Sequence, residues 1–114
     1  MIERFDVGAR MSEMAVHNGV VYLAGQVPAD ASLDITGQTA DVLAQIDALL
    51  ARAGSDKTKI LRAQIYIADL ADFPGMNVAW DAWVAPGHTP PRATVEAKLA
   101  KPEWKVEIVI TAAV

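Results

Sequence analysis

The chain contains no cysteine. That excludes a disulfide frame, a thiolate nucleophile and a Cys-type zinc site. Histidine is almost as scarce. His17 and His88 stand far apart with no acidic cluster beside either, so no metal site is expected. No apolar run approaches the roughly 20 residues that span a bilayer, which predicts a soluble protein with no membrane partner. Positive charge is thin as well: 10 Lys and Arg against 14 Asp and Glu give a net charge of −4, and the cations are scattered. Binding to a phosphate backbone needs concentrated positive charge, so nucleic acid is not an expected partner. A nuclease or translation-inhibitor role is disfavoured on the same ground. The opening Met1-Ile2-Glu3-Arg4-Phe5-Asp6 lacks the basic and apolar regions of a signal peptide, leaving the cytoplasm as the expected location.

What the chain does have is apolar content. Hydrophobic residues make up 53% of 114, and mean hydropathy is +0.22. The length predicts a single domain over 1–114, able to bury roughly two thirds of its unfolded surface. Surplus apolar surface on a small domain is hidden more easily in a subunit interface than left bare, which favours an oligomer.

Residues 2–7 read as a short first strand. Residues 14–16 and 20–23 are apolar arms around His17-Asn18-Gly19, and an Asn-Gly step between such arms signals a hairpin. His17 then flanks a turn. Gly25 closes the second arm, either as a bend or as a backbone N–H left open to a ligand. From Thr36, read as the N-cap, Val42, Ile46, Leu49, Leu50 and Ala53 recur at helical spacing until Gly54 stops them. Asp41 and Asp47 lie off that stripe and read as solvated. Residues 60–68 alternate, with Leu61, Ala63, Ile65 and Ile67 on one side and Arg62, Gln64 and Tyr66 on the other. Pro74 suits the first turn of a second helix, whose stripe is Met76, Trp80, Trp83 and Val84. Asn77 sits one step round from it, able to cap, to reach a neighbour or to touch a ligand. Two strands close the chain, 92–99 and 104–111, read as a hairpin. The order predicts an α+β layer, a mixed β-sheet with two helices packed on one face. The other face is then left for neighbouring copies to cover.

Two ionic residues on the closing strands need explaining. Arg92 follows Pro90 and Pro91, which stiffen the approach to it. A guanidinium so placed can grip a planar carboxylate by two parallel bonds. Glu107, between Val106 and Ile108, can hold a water or pass a proton. The ordinary structural reading is an edge-strand arginine and a solvated glutamate. If the last strands form a hairpin, Glu96 opposes Glu107, Arg92 opposes Thr111, and Arg92 lies roughly 13 Å from Glu107 along the ladder. The two could then meet only in another register, or between Arg92 of one subunit and Glu107 of the next.

Pro90-Pro91-Arg92-Ala93-Thr94-Val95, with Lys98, Ala100 and Val106-Glu107-Ile108, resembles the signature of the RidA/YjgF family of reactive-intermediate (enamine/imine) deaminases. Ala24-Gly25-Gln26-Val27-Pro28 is similar to that family's Ser-Gly-Gln-Ile-Pro segment, and Asp72-Phe73 followed by Asn77 is similar to its second helix. The matches run in order along nearly the whole chain. The resemblance implies a chorismate-mutase-like fold, a homotrimer with clefts between subunits, and hydrolytic deamination of 2-imino acids to 2-keto acids and ammonia without a metal or organic cofactor. It implies that Arg92 grips the substrate carboxylate with help from the Gly25 backbone, that Glu107 positions water, and that Asn77 and Thr94 line the cleft. The chain departs from the best-known members in two places: Met11 or a neighbour stands where they carry a tyrosine, and Thr94 where they often carry a cysteine. Met11 near the tryptophans would favour a bulkier or more apolar substrate. A non-catalytic trimeric module that captures small carboxylates is the alternative.

Overall fold

A computed structural model describes all of residues 1–114, and its first element pair is the hairpin announced by Asn18-Gly19. Both turn residues take positive φ, 50° and 77°, as a tight two-residue turn requires. They join β2 (Met14–His17) to β3 (Val20–Leu23), with His17 opposite Val20. The first strand, β1, is shorter than the sequence suggested, Glu3–Phe5, and pairs with β2.

Helix α1 (Ile35–Arg52) follows a loop. Its N-cap is Asp34, not Thr36: the Asp34 carboxylate accepts from the Gly37 N–H at 2.8 Å, as N-cap side chains do for the third helical residue. The Thr36 hydroxyl is used elsewhere, donating to the Gly75 carbonyl at 2.8 Å. That bond ties α1 to α2 (Phe73–Trp83), where a Cβ on Gly75 would come within 2.7 Å of Ile35 Cγ2. Val42, Leu43, Ile46, Leu49 and Leu50 of α1 are buried. Past Ala53, Gly54 takes φ +78° and ends the helix as read. Asp41 and Asp47 are not idle: Asp41 accepts from the Asp30 N–H and Asp47 from the Trp83 indole N–H.

Strand β4 (Ile60–Ile67) runs next, then α2, then β5 (Arg92–Glu96) parallel to β4, and lastly β6 (Val106–Ala113). The sheet order is β1-β2-β3-β6-β4-β5. It is mixed, and both helices pack on one face: Ala63, Ile65 and Ile67 of β4 and Val106, Ile108, Ile110 and Ala112 of β6 are sealed there at 0% exposure. Leu61 does not join that face. The β4–β6 register slips between Ile60 and Arg62, and the bulge turns Leu61 outward to 49% exposure.

The closing hairpin is not formed. β6 enters between β3 and β4, antiparallel to both, and β5 lies on the far side of β4. Every second residue of β6 is fully buried, so the interior slot is where that strand removes most apolar surface from water. Arg92 is therefore in register with Ala63, and through it with Ile110, rather than with Thr111. Glu96 aligns with Ile67 and Val106, rather than with Glu107. The connection between β5 and β6 is pinned by buried Gln38, whose amide donates to the Ala31, Leu33 and Glu103 carbonyls and accepts from the Lys105 N–H. No helix is long and apolar enough to cross a membrane.

Candidate functional site

Residues paired across a ladder share a face, so the register decides which candidate side chains can meet. Arg92, Thr94 and Glu96 align with Ala63, Ile65 and Ile67 and stand on the helix side, at the β5 edge. Glu107 aligns with Tyr66 and stands on the opposite, open side. Two strand spacings and three residues of offset put the Arg92 and Glu107 Cα atoms roughly 14 Å apart, with their side chains diverging. Within one chain they form two half-sites.

The first half-site is built by α2. Phe73, Asn77 and Trp80, at i, i+4 and i+7, form one stripe of that helix facing Arg92. Arg92 Nη1 donates to Asn77 Oδ1 at 2.8 Å. The guanidinium carbon stands 5.1 Å from the Trp80 ring centroid and 5.8 Å from that of Phe73. Cation–π attraction of this kind contributes on the order of 0.5–2 kcal/mol, depending on desolvation. No carboxylate neutralises Arg92, since the one salt bridge in the chain joins Arg52 to Asp6. Asn77, open to several roles in the sequence, thus has a definite partner in its own chain. Trp80 is core, as read, but also floors the cation. Trp83 and Val84 are only half-buried. Thr94 adds a second unmet demand, because its hydroxyl oxygen is buried without a hydrogen-bond partner.

The second half-site lies past the end of β3. A Cβ on Gly25 would fall on Glu107 Oε2, so the carboxylate packs directly against this backbone and only glycine leaves room for it. Gln26, next in sequence, exchanges both backbone bonds with Ile108 (2.9 and 3.0 Å), which fixes the loop against β6. Glu107 forms no ion pair. Gly25 and Glu107, far apart in the sequence, are thus brought into contact, while Arg92, Asn77 and Thr94 gather elsewhere.

The cavities follow this division. One of about 450 Å³ opens at Arg92, between Leu61, Arg62, Ala63, Pro91 and Ala93. The largest, about 650 Å³, runs along the β5–β6 connection beside Lys98, Lys101 and Trp104 and contains none of the candidate residues. Met11 is exposed in the loop between β1 and β2, at the opposite edge of the sheet from Arg92 and Trp80, so the two do not neighbour each other within a chain. Phe73 and Trp80 are the residues that reading by strand alone missed. Their spacing with Asn77 was visible, but nothing in one sequence says which β-strand a helical stripe will face.

Comparison with known proteins gives the family and the fold. The family model described as Endoribonuclease L-PSP matches residues 1–114. A RutC family protein of Haemophilus ducreyi is 57% identical over 114 residues, covering 100% of this chain and 97% of the relative. The RutC family protein YoaB of Escherichia coli is 52% identical over 113 residues, covering 99% and 98%. NMB1025 of Neisseria meningitidis, whose crystal structure is described as that of a YjgF family member, superposes with a TM-score of 0.96 at 53% identity, covering 99% of this chain and 94% of that one. The two-helix, mixed-sheet architecture is therefore the chorismate-mutase-like fold of those relatives, and the chain belongs to the RidA/YjgF/RutC family.

Proposed function

We propose that the protein hydrolyses reactive 2-imino acids, and the enamines that tautomerise to them, in clefts formed where two copies meet. The observation that carries this reading is the division of the site. An unneutralised Arg92 is held on the helix side of the sheet edge, and an unpaired Glu107 lies against Gly25 on the open side. Each is half of a site for a small anion that must also be attacked by water. A second copy laid over the open face supplies the missing half, and it covers Tyr22 and Val95, which stand 51% and 44% exposed there. A homotrimer is the assembly this reading takes, with a cytoplasmic location.

The chemistry asks little of the protein. Arg92 grips the carboxylate, the Gly25 N–H assists, and Asn77 and Thr94 line the pocket. Glu107 holds a water against the imine carbon and accepts its proton as the C–O bond forms. That proton passes to nitrogen, the hydroxyl proton of the tetrahedral intermediate follows it by way of Glu107, the C–N bond breaks as the carbonyl forms, and a 2-keto acid and ammonia leave. One water is consumed for each imine. Such electrophiles hydrolyse without help, so orientation and proton relay suffice, the relay contributing about 10²–10⁴-fold. No metal or organic cofactor is required for a carbon this reactive. The net charge of −4 and scattered cations argue against an RNA substrate of the kind the family description names.

Clearance of an imino acid generated in situ from an amino acid tests the reading. The wild-type chain should accelerate it, and Arg92→Ala and Glu107→Ala should each remove the gain. Mixing the two inactive variants, with unfolding and refolding to exchange subunits, should restore about a quarter of the sites, since each cleft draws one residue from each neighbour. No recovery on mixing would overturn the shared cleft. Clearance at the uncatalysed rate, with carboxylates still bound, would leave only a binding module.

A further inference from the structure

We propose that Gln26, held in place by Glu13, is a positioning residue that aims the Gly25 N–H at the ligand's carboxylate. The inference deepens the functional reading above and rests on it. Gln26 is 6% exposed, and its Nε2 donates twice, to Glu13 Oε2 and to the Ala24 carbonyl, each at 3.1 Å. The Ala24 carbonyl and the Gly25 N–H belong to the same peptide unit. No peptide bond in the chain is cis, so the two groups point in opposite directions. Drawing the carbonyl inward onto a buried amide therefore turns the N–H outward.

That N–H has no acceptor of its own. Its neighbours are both satisfied, Ala24 N–H by the Glu13 carbonyl at 2.9 Å and Gln26 N–H by the Ile108 carbonyl at 2.9 Å, while Gly25 donates to nothing in the chain. A hydrogen bond to the carbonyl end of a peptide polarises it and strengthens the donor at the other end. Glu13 fixes which way round the amide sits. A carboxylate only accepts, so it holds the NH₂ and prevents the flip that would set the Gln26 oxygen against the Ala24 oxygen. The arrangement gives the cleft a directional donor, for a carboxylate oxygen, beside the Glu107 carboxylate. Arg92 supplies charge, and the clamped peptide supplies orientation.

Amide spectra of the isotope-labelled full-length chain, titrated with pyruvate as the 2-keto acid probe, separate this from a merely structural loop contact. In the wild type both the Gly25 amide proton and the Arg92 Nε proton should move on titration. Gln26→Met keeps the length and packing but cannot donate. It should weaken pyruvate binding roughly 2- to 12-fold, the worth of one hydrogen bond, attenuate the Gly25 shift, and raise KM for the imine more than it lowers kcat. Glu13→Gln retains an acceptor oxygen and should rescue most of the shift that Glu13→Ala loses. Should Gln26→Met fail to fold, the Glu13 pair carries the same comparison. An Arg92 response in the wild type without a Gly25 response overturns this inference and spares the functional reading. So does a Gln26→Met chain that binds and shifts like the wild type. Pyruvate that moves neither resonance overturns both.

Discussion

The two faces of β6 are made by alternate residues of one eight-residue strand, and they have opposite fates. Val106, Ile108, Ile110 and Ala112 face the helices at 0% exposure, while Glu107, Val109, Thr111 and Ala113 are left half-buried on a side that no element of this chain covers. The first set closes a core. The second set carries the acid of the proposed site. One strand thus serves stability with its even-numbered residues and, on the proposed reading, the cleft with its odd-numbered ones, and a substitution should act according to parity.

The largest effect expected from that division is on stability. Ile108→Ala removes a fully buried side chain from the core and should cost about 2–5 kcal/mol in denaturant unfolding, because the surrounding helices and strands cannot collapse onto the space. Val109→Lys, one residue on, should leave the unfolding transition of a dissociated chain little changed and instead lower the mass seen in sedimentation, since it places a charge where a neighbouring copy would pack. A Val109→Lys protein of unchanged mass would break the comparison, because the open face would then have no neighbour to lose.

The same two-sidedness governed what could be read in advance. The Asn18-Gly19 hairpin, the α1 stripe and the apolar side of β4 follow from local periodicity, which a sequence displays directly. Sheet order does not. β6 takes an interior slot because of its pairing with β3 and β4, and nothing local to residues 92–113 distinguishes that from a hairpin with β5. The misplacement of β5 beside β6 carried the faces with it, so Glu96 was set opposite Glu107 when two strands' width and Ile67 intervene. Arg92, Glu107, Gly25, Asn77 and Thr94 were nonetheless nameable from the family motif. What that motif lacked was the grouping, Arg92 with Asn77 and Trp80 on one side and Gly25 with Glu107 on the other. Thr36 shows the smaller error, a hydroxyl assigned to a cap that Asp34 fills because a helix–helix contact claims it.

Next in size is the floor of the cation. Trp80→Leu keeps apolar volume beneath Arg92 and removes the π face 5.1 Å from the guanidinium. A loss of about 0.5–2 kcal/mol in holding the cation corresponds to roughly a 2- to 30-fold rise in KM for the imino acid, with kcat falling less. Trp80→Phe should recover part of it, because an aromatic face remains. Trp83→Leu serves as the contrast. It loses an indole bonded to Asp47 and lying under Lys57, a ring that meets Trp80 at 5.4 Å but not Arg92, and should raise KM less than Trp80→Leu does. Equal effects from the two tryptophans would mean that the helix, and not the ring beneath Arg92, sets the affinity.

The smallest effect concerns acid, and it belongs to the helix side alone. The Arg52 guanidinium hydrogen-bonded to Asp6, the Ser32 hydroxyl on Asp30 and the Thr58 hydroxyl on Asp56 each hold a carboxyl below the ordinary aspartate value of 3.8. Asp30 and Asp56 lie in the loops that flank α1, and Asp6, in the β1–β2 loop, pairs with Arg52 in its last turn. A carboxyl whose folded value is depressed contributes stability in full above its unfolded value, and loses it as pH falls through the folded one. These groups should therefore leave the urea midpoint unchanged between about pH 5 and 8 and lower it only below about pH 4. Because all three are exposed, solvent screens each contribution and the fall should be shallow. Asp6→Asn removes the Arg52 pair and should flatten that fall slightly. An acid-induced fall of the same depth in Asp6→Asn and in the wild type would show that solvent screening leaves this exposed pair no share in it.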